Sequence, residues 1–305
     1  MSLTTTAQFD PILSEALNKI GQNQFVGLQI LPPRIVGTKS GEYPVFESAQ
    51  FDNDYSKARA PGSRAQRQDF AYAQQDYKCE QYMLEGTLPD EDESQAQDNG
   101  ISDARGTLGQ MLQRNLMVGH ERRTSSVVYA AAFNSTSATA TVGSSSARPI
   151  KDVQNAVERL NANGHFDNIA LVVEASLWNG MLNTDDVRKI FNGAAVYGNV
   201  PTILGAMGVS NLIICPTRYN SAAKGAAASR SRIWPTDKYL VAAIAGGDFS
   251  AGGMGRTLAY SADGGIFTAE TYRDEVIKSD ILRVYNSVDE VVINTTAGEL
   301  ITSAA

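Results

Sequence analysis

Histidine and cysteine are the side chains that most often carry acid-base chemistry or bind transition metals, and this chain has two of each. His120 lies in the stretch GHERR, and His165 follows an Asn-Gly pair that is typical of a turn. The stretch HERRT lacks the second histidine of a zinc-protease helix, and the chain contains no GxSxG motif for a serine nucleophile. We therefore interpret both histidines as surface or helix-capping residues.

The cysteines and the glycine-rich stretch give no stronger case for chemistry. Cys79 and Cys215 fit no metal-binding or redox spacing, which favours two reduced thiols in a cytoplasmic setting. Residues 245–256 read AGGDFSAGGMGR without the GK[ST] of a phosphate-binding loop, so the sequence predicts a flexible loop tip there. Only this stretch supports the alternative function that we consider, a soluble hydrolase or sugar-binding enzyme. We predict no enzymatic activity, no metal and no cofactor.

Charged side chains are the chemistry that this sequence concentrates. The stretch KARAPGSRAQRQ, residues 57–68, is cationic in a chain of net charge −7, and the stretch EGTLPDEDESQAQD, residues 85–98, contains no Lys or Arg. Because one polypeptide carries both, we predict that the cationic stretch of one copy meets the acidic stretch of another. The predicted contact residues are Lys57, Arg59, Arg64, Arg67, Asp90, Glu91, Asp92 and Glu93. The alternative is that both stretches are solvated surfaces. Since exposed ion pairs contribute roughly 0–1 kcal/mol each, such contacts would select register and partner, with apolar contact supplying most of the affinity.

The pattern around the cationic stretch predicts a long β-hairpin. Apolar and polar residues alternate from Tyr43 onward, Pro61-Gly62 suits the centre of a type II turn, and parity slips in the returning strand suggest bulges or bends. Fifteen residues per strand would span about 50 Å, whereas a compact chain of this length has a radius of gyration near 19 Å. Residues 43–82 also hold a third of the aromatic residues, and isolated two-stranded ribbons are marginally stable. We expect this hairpin to lie on a partner surface.

The remaining elements predict an α+β fold. Asp10, Pro11 and Gly21 are suited to the ends of a short amphipathic helix, and leucines four apart predict a long helix from about residue 102 to 129.

Residues 134–147 and 220–232 are predicted as loops, the second of them mobile and exposed, with contact to a polyanion as the alternative. Further helices are predicted from Pro149 and around residues 177–182. Strands are predicted in the stretches IALVVE, LIICP, KYLVAAIAG, RTLAYSA and GIFTAETY, with two more between Ser279 and Ile301. Asp263-Gly264 predicts a tight hairpin between the fourth and fifth of these strands.

Charge and hydropathy exclude two classes of function. A net charge of −7 argues against tight nucleic-acid binding, which depends on neutralising phosphates with Lys and Arg. No run of 18 apolar residues occurs, and the first residues lack a basic segment followed by an apolar one. We predict neither a membrane span nor an export signal.

The order of these parts resembles major capsid proteins of tailed bacteriophages of the Hong Kong 97 type. The resemblance covers nearly the whole chain and rests on the segment FVGLQILPPRIVGTKSGEYPVFE, the hairpin with the tip KARAPGSRAQ, the strand YKCEQYMLEGTLPDED, the long helix and the closing stretch DILRVYNSVDEVVINTTAGELI. It implies an N-arm (1–42), an E-loop hairpin (43–88), a P domain with a spine helix (89–147 and 257–287) and an A domain (148–256 and 288–305).

The resemblance also implies partners. Copies of the chain would form hexamers and pentamers of an icosahedral shell that encloses double-stranded DNA without sequence-specific binding, in a virion assembled in the host bacterial cytoplasm. Separate scaffolding, portal and decoration proteins are further partners. Some relatives form a Lys–Asn isopeptide bond assisted by Glu, but no Asn or Glu partner for Lys57 can be identified here. The alternative on the same fold is an encapsulin-like shell around cargo.

Overall fold

The protein is described by a computed structural model that covers residues 8–9, 25–46, 54, 58–65, 67, 70–101, 103–190, 199–223, 225–246, 248–261 and 265–302. Its helices and strands are mixed without a regular alternation, which confirms the predicted α+β class. The amphipathic helix predicted after Asp10 lies outside the described residues.

A six-stranded sheet is built around one long strand. Its strands are β1 (Gln8–Phe9), β2 (Pro33–Val36), β5 (Glu80–Pro89), β12 (Gly255–Tyr260), β13 (Thr268–Asp274) and β14 (Ser279–Val292). Strand β5 pairs antiparallel with residues 279–288 along one edge of β14. Since β13 pairs with residues 279–285 and β12 with residues 288–292, these two strands lie one after the other along the opposite edge.

This arrangement overturns the tight hairpin predicted at Asp263-Gly264. A two-residue turn would pair β12 with β13, but each of them pairs with β14 instead. The physical reason is length, because β14 has 14 residues and can receive two short strands end to end on one edge. Residues 262–264 themselves lie outside the described part of the chain.

The long helix α3 (Ala104–Ala130) packs across this sheet, as its leucine spacing predicts. It follows the short helices α1 (Gly27–Ile30) and α2 (Asp90–Asp98). The Asp103 side chain caps its amino end by accepting a hydrogen bond from Gly106 N at 2.7 Å. Leu112 and Leu116 on one face pack with Leu282 of β14 in a buried cluster that also contains Phe25.

A five-stranded sheet carries the largest apolar core. In spatial order its strands are β6 (Asn134–Ser137), β15 (Gly298–Thr302), β11 (Lys238–Ala243), β7 (Ile169–Glu174) and β8 (Asn211–Cys215). All six residues of β7 are buried because both faces of the sheet are covered here, with Leu171 and Val173 in one apolar cluster and Ala170 and Val172 in another. The accompanying helices are α4 (Pro149–Ala162), α5 (Ala175–Leu182), α6 (Asp185–Ile190) and α7 (Val200–Met207).

Two segments predicted as loops contain strands. Asn134–Ser137 forms β6, which extends the five-stranded sheet by parallel pairing with β15. Within residues 220–232, the ends form a short ribbon in which β9 (Arg218–Asn220) pairs with β10 (Arg230–Arg232). Small and polar residues dominate both segments, so neither shows the apolar alternation that identifies a strand.

The remaining ribbon is the hairpin of β3 (Ser40–Val45) and β4 (Ala73–Lys78), paired antiparallel from Ser40 opposite Lys78 to Val45 opposite Ala73. The returning strand is interrupted at Cys79, between β4 and β5, where the backbone N donates to Lys39 O at 2.8 Å. The inward-facing positions change from Tyr77 and Cys79 to Tyr82 and Leu84 across this break, which confirms the irregularity that the parity slips predict. The break also moves β5, which the resemblance places within the E-loop, into the six-stranded sheet.

Candidate assembly surfaces

The base of the hairpin is clamped to the body of its own subunit. The ring of Tyr43 stacks on that of Phe249 with centroids 5.8 Å apart, and Lys78 N donates to Asp289 Oδ2 at 2.9 Å. Burial, together with Glu290 and Glu80, holds the pKa of Asp289 above its usual range. These contacts fix the direction in which the hairpin leaves the body.

Beyond its base, the residues of the hairpin that the structure describes are largely exposed. In β4 the residues Ala73 to Asp76 are all exposed, although their side chains alternate between the two faces of the ribbon. Phe46, Phe70 and Tyr72 form an aromatic cluster with centroids 5.7–6.0 Å apart, and Phe70 is 80% and Tyr72 49% exposed. An exposed aromatic group of this kind marks a surface that another molecule can cover.

The apex of the hairpin confirms the predicted turn. Ser63 N donates to Ala60 O at 3.1 Å, and Gly62 has a φ of +85°, the left-handed conformation that the third position of a type II turn requires. The side chains of Arg59, Arg64 and Arg67 are exposed and form no ion pair with a residue that the structure describes. Lys57, the fourth predicted cation, lies outside the described residues.

The predicted acidic stretch folds as helix α2, whose first turn consists of Asp90, Glu91, Asp92 and Glu93. Acidic residues stabilise the amino end of a helix because they face its positive dipole. Asp90 is engaged within the subunit, since its two oxygens lie 2.5 and 2.6 Å from the guanidinium nitrogens of Arg273. These hydrogen bonds lower the pKa of Asp90. Glu91, Asp92 and Glu93 have no ion pair with any described residue. Of the four predicted acidic contact residues, these three are therefore available to another copy.

The prediction that His120 is a surface or capping residue is wrong. Its side chain is 2% exposed, and its Nδ1 donates to Glu290 Oε1 at 2.7 Å. The same carboxylate accepts from Arg123 Nε at 3.0 Å, and the guanidinium of Arg123 lies 3.6 Å from the ring centroid of Tyr82. His165 is also buried, with Nε2 3.0 Å from Thr296 Oγ1. Both histidines stabilise packing between elements.

We expect the partners of Glu290 to make the packing of the long helix acid-sensitive. Burial tends to raise the pKa of Glu290, but its hydrogen bonds and electrostatic interactions with His120 and Arg123 outweigh burial and lower that pKa. A carboxyl whose pKa is lower in the folded than in the unfolded state stabilises the protein above its unfolded pKa, and this contribution disappears as the pH falls through its folded pKa.

Glu290→Gln should therefore lower the free energy of unfolding by about 2 kcal/mol near pH 7, where it removes the charge that His120 and Arg123 hydrogen-bond. The difference from the wild type should shrink as the pH falls through the lowered pKa of Glu290 in the folded protein, because acid then neutralises the wild-type carboxylate as well. Urea titrations of both proteins from neutral to acid pH measure it. A difference that stays constant with pH would contradict the assigned role of the charge.

The glycine-rich stretch is organised around a buried arginine rather than being a free loop tip. Arg256 is 1% exposed, and its guanidinium donates to the carbonyl oxygens of Gly255, Gly252 and Asp248 at 2.9–3.3 Å. Phe249–Ala251 forms one turn of 3-10 helix, while Gly247 lies outside the described residues. The stretch therefore has a structural explanation that requires no ligand.

Few other side chains among the described residues could act as a nucleophile or bind a metal. Cys79 and Cys215 are both free and buried, and burial with the nearby Asp289 raises the pKa of Cys79 to about 11. Within the described residues, no three His, Cys, Asp or Glu side chains are grouped so that they could hold a metal ion. Among the helices of the described ranges, none combines the length and apolarity needed to cross a bilayer.

Comparison with solved structures places this fold. A phage-related protein from Bordetella bronchiseptica RB50 is similar, with 21% identity, a TM-score of 0.74 and 98% of each chain covered. A virus-like particle from Pyrococcus furiosus has 10% identity and a TM-score of 0.58 over 95% of this chain and 98% of the other. The capsid of cyanophage P-SCSP1u has 13% identity and a TM-score of 0.57 over 90% and 86%.

No family model and no curated protein matches the sequence. The likeness is therefore one of structure, and it extends over nearly the entire chain in each comparison. It confirms the resemblance drawn from the order of the hairpin, the long helix and the closing strands. The chain has the fold of tailed-bacteriophage major capsid proteins, the Hong Kong 97 type.

Proposed function

We propose that this chain is a major capsid protein, a structural subunit without enzymatic activity that self-assembles into the icosahedral shell of a tailed phage. The fold supports this role, and the exposed hairpin is the feature of the subunit that supports it most strongly. The hairpin extends from a clamped base into a segment whose residues 73–76 are exposed and whose aromatic cluster includes a Phe70 that is 80% exposed. A two-stranded ribbon cannot bury both of its faces alone, so the subunit is complete only beside another copy.

The proposed docking combines apolar and charged contacts. Phe46, Phe70 and Tyr72 would bury against a neighbouring subunit and supply most of the affinity. Arg59 and Arg64, with Lys57 and Arg67, would set the register by meeting the acidic side chains Glu91, Asp92 and Glu93 of that neighbour. Obligate interfaces of this kind bury more than about 2,000 Å² in total.

The division into an N-arm, an E-loop, a P domain and an A domain is part of this proposal. The six-stranded sheet with helix α3 would form the P domain, and the five-stranded sheet with its helices the A domain. The strands suggest two adjustments to the expected boundaries, since Asn134–Ser137 pairs within the five-stranded sheet and residues 288–292 pair within the six-stranded one.

The proposed virion also comprises hexamers and pentamers of this chain, packaged double-stranded DNA, and separate scaffolding, portal and decoration proteins. It would assemble in the host bacterial cytoplasm. The surplus of carboxylates in the chain, with net charge −7, would leave the DNA loosely held rather than bound by sequence. An encapsulin-like compartment is the second candidate, favoured by the similarity to the virus-like particle. It predicts a bound protein cargo in place of DNA.

Purified full-length protein should form closed particles of uniform size, visible by negative-stain electron microscopy and by sedimentation velocity. Assembly is expected because one subunit leaves the hairpin uncovered. Monomers that persist as the concentration is raised would contradict the proposal and favour a soluble enzyme. Particles isolated from the natural host decide between the two shells, since duplex DNA inside supports a capsid and a single enzyme species supports a cargo compartment.

A further inference from the structure

A cationic pocket of about 340 Å³ lies between helix α3 and the ribbon of β9 and β10. Arg114 of the helix and Arg218 and Arg230 of the ribbon line it, with Thr217, and no acidic residue is among the lining side chains. Phe25, Val118 and Pro216 supply apolar surface. Three arginines therefore line one concave site in a protein whose net charge is −7.

The elements hold these arginines in place. Arg114 and Arg122 lie eight residues apart on α3, with Val118 midway, so all three share one face of the helix. The guanidinium of Arg122 lies 4.3 Å from the ring centroid of Tyr219, which attaches β9 to the helix by a cation–π contact. This contact joins the ribbon to α3 beside the pocket.

The positive charge of this pocket is not compensated within the described part of the subunit. Arg218 lies directly opposite Arg232 across the ribbon, and like charges in that position repel. Arg232 has Glu174 as a counterion at 3.6 Å, whereas Arg114, Arg218 and Arg230 form no ion pair with a described residue. A concave cluster of uncompensated guanidinium groups concentrates positive potential and attracts an anion.

The shape of the pocket indicates which anion. Arginine binds carboxylates and phosphates through two parallel hydrogen bonds, so charge alone admits either group. The apolar surface of Phe25, Val118 and Pro216 suits the methylene groups that accompany a side-chain carboxylate. A DNA duplex is a convex rod that presents its phosphates on the outside, and it gains little from a small concave site with an apolar wall.

We propose that this pocket binds an acidic peptide segment, with closely spaced Asp or Glu residues, that belongs to a protein other than the capsid subunit. Each copy has one acidic helix, α2, among its described residues, and this step rests on the proposed function, which assigns that helix to the hairpin apex of a neighbour. The pocket is then left as a second cationic site, available to an accessory protein of the shell.

The probe for the test is a fluorescein-labelled peptide with the sequence of residues 88–101, which carries five carboxylate side chains and no cation. It is titrated by fluorescence anisotropy against the full chain carrying Arg59→Glu with Arg64→Glu, so that binding at the hairpin apex does not contribute. Arg114→Glu with Arg230→Glu added to this protein should weaken binding by about tenfold or more at low salt. Arg114→Gln with Arg230→Gln should weaken it less, and Arg148→Glu, at an exposed arginine elsewhere, should leave it unchanged.

Three results would overturn the proposal. The first is an unchanged peptide affinity in the Arg114→Glu, Arg230→Glu protein. The second is that these two substitutions abolish binding of a 20-base-pair DNA duplex rather than binding of the peptide, which would make the site a nucleic-acid contact. The third is failure of this double variant, with the apex intact, to form shells, which would identify a second copy of this chain as the occupant. If the wild-type chain forms no shell at all, the proposed function fails while the peptide titration still reports on the pocket.

Discussion

Replacing Glu121 with alanine should lower the free energy of unfolding by about 3 kcal/mol, measured by urea denaturation near pH 7. Glu121 is fully buried on the long helix, and its Oε1 accepts a hydrogen bond from Val26 N at 2.7 Å. The backbone of Gly27 and the side chain of Thr217 also favour the charged form of this carboxylate, although burial outweighs them and raises its pKa. Removing the carboxylate leaves the N–H of Val26 without a partner and opens a cavity, and each of these effects costs free energy.

Two variants separate this role from a general effect of losing a charge. Burial raises the pKa of Glu121, so its charge is held at a cost, and Glu121→Gln, which keeps an acceptor oxygen, should cost less than about 1 kcal/mol. Glu158→Ala removes an exposed glutamate from a helix and should change stability by less than about 0.5 kcal/mol. A Glu121→Ala protein as stable as Glu158→Ala would show that the carboxylate does not hold the segment.

The role of Glu121 connects stability to the proposed surfaces. By fixing Val26 it fixes Phe25, which packs against α3 and also lines the cationic pocket. Thr217, which favours the charged form of Glu121, precedes β9 directly and lines the same pocket. One buried side chain of the long helix therefore interacts with residues of both walls of the pocket.

Local sequence patterns predicted the helices and turns, whose backbone hydrogen bonds form within one short segment of the chain. Leucines at spacing four identified the long helix within two residues at each end, because one apolar face along many turns is a strong signal. Pro61-Gly62 identified the apex turn, since a positive φ at the third position is a property of the residue itself. Pro149 marked the start of α4 for the same kind of reason.

Strand pairing could not be predicted in the same way. Asp263-Gly264 resembles a hairpin turn, yet β12 and β13 both pair with β14, a partner that no local pattern names. Strand β6 is invisible in sequence because its residues are Asn, Ser and Thr, and it exists only because β15 offers an edge. Pairing between distant segments depends on the tertiary fold.

Buried charge was the other property that sequence reasoning missed. The sequence predicts His120 as a surface or capping residue and Arg256 as part of a flexible loop tip, and no pattern marks Glu121 as buried, since charged side chains are seldom fully buried. His120 and Glu121 each have a partner from a distant segment, as Glu290 is for His120 across 170 positions. Arg256 instead donates to carbonyl groups of its own glycine-rich stretch, whose folded path no local pattern predicts. Within the acidic stretch, the helix could have been anticipated from four acidic residues following a proline, a common start of a helix, but the use of Asp90 by Arg273 could not.

Reversing the charge of the hairpin apex, with Arg59→Glu and Arg64→Glu together, should raise the protein concentration at which shells form by at least about tenfold. Each apex faces acidic side chains of a neighbour in the proposed assembly, so reversal converts attraction to repulsion. An exposed pair contributes at most about 1 kcal/mol, but a change of about 1.4 kcal/mol per subunit moves an assembly equilibrium tenfold. Light scattering across a dilution series at low salt measures the threshold.

The stability of the subunit should not change, because both arginines are exposed and form no ion pair with a described residue. The sharpest test is rescue by the complementary charges. Glu91→Lys with Asp92→Lys, added to the reversed apex, should restore shell formation, whereas lysine at Asp90 should not, since it would break the contact with Arg273 inside the subunit. Arg148→Glu with Arg188→Glu matches the change in net charge away from the apex. Unimpaired assembly of the apex variant would refute the electrostatic docking while leaving the fold and the aromatic contacts intact.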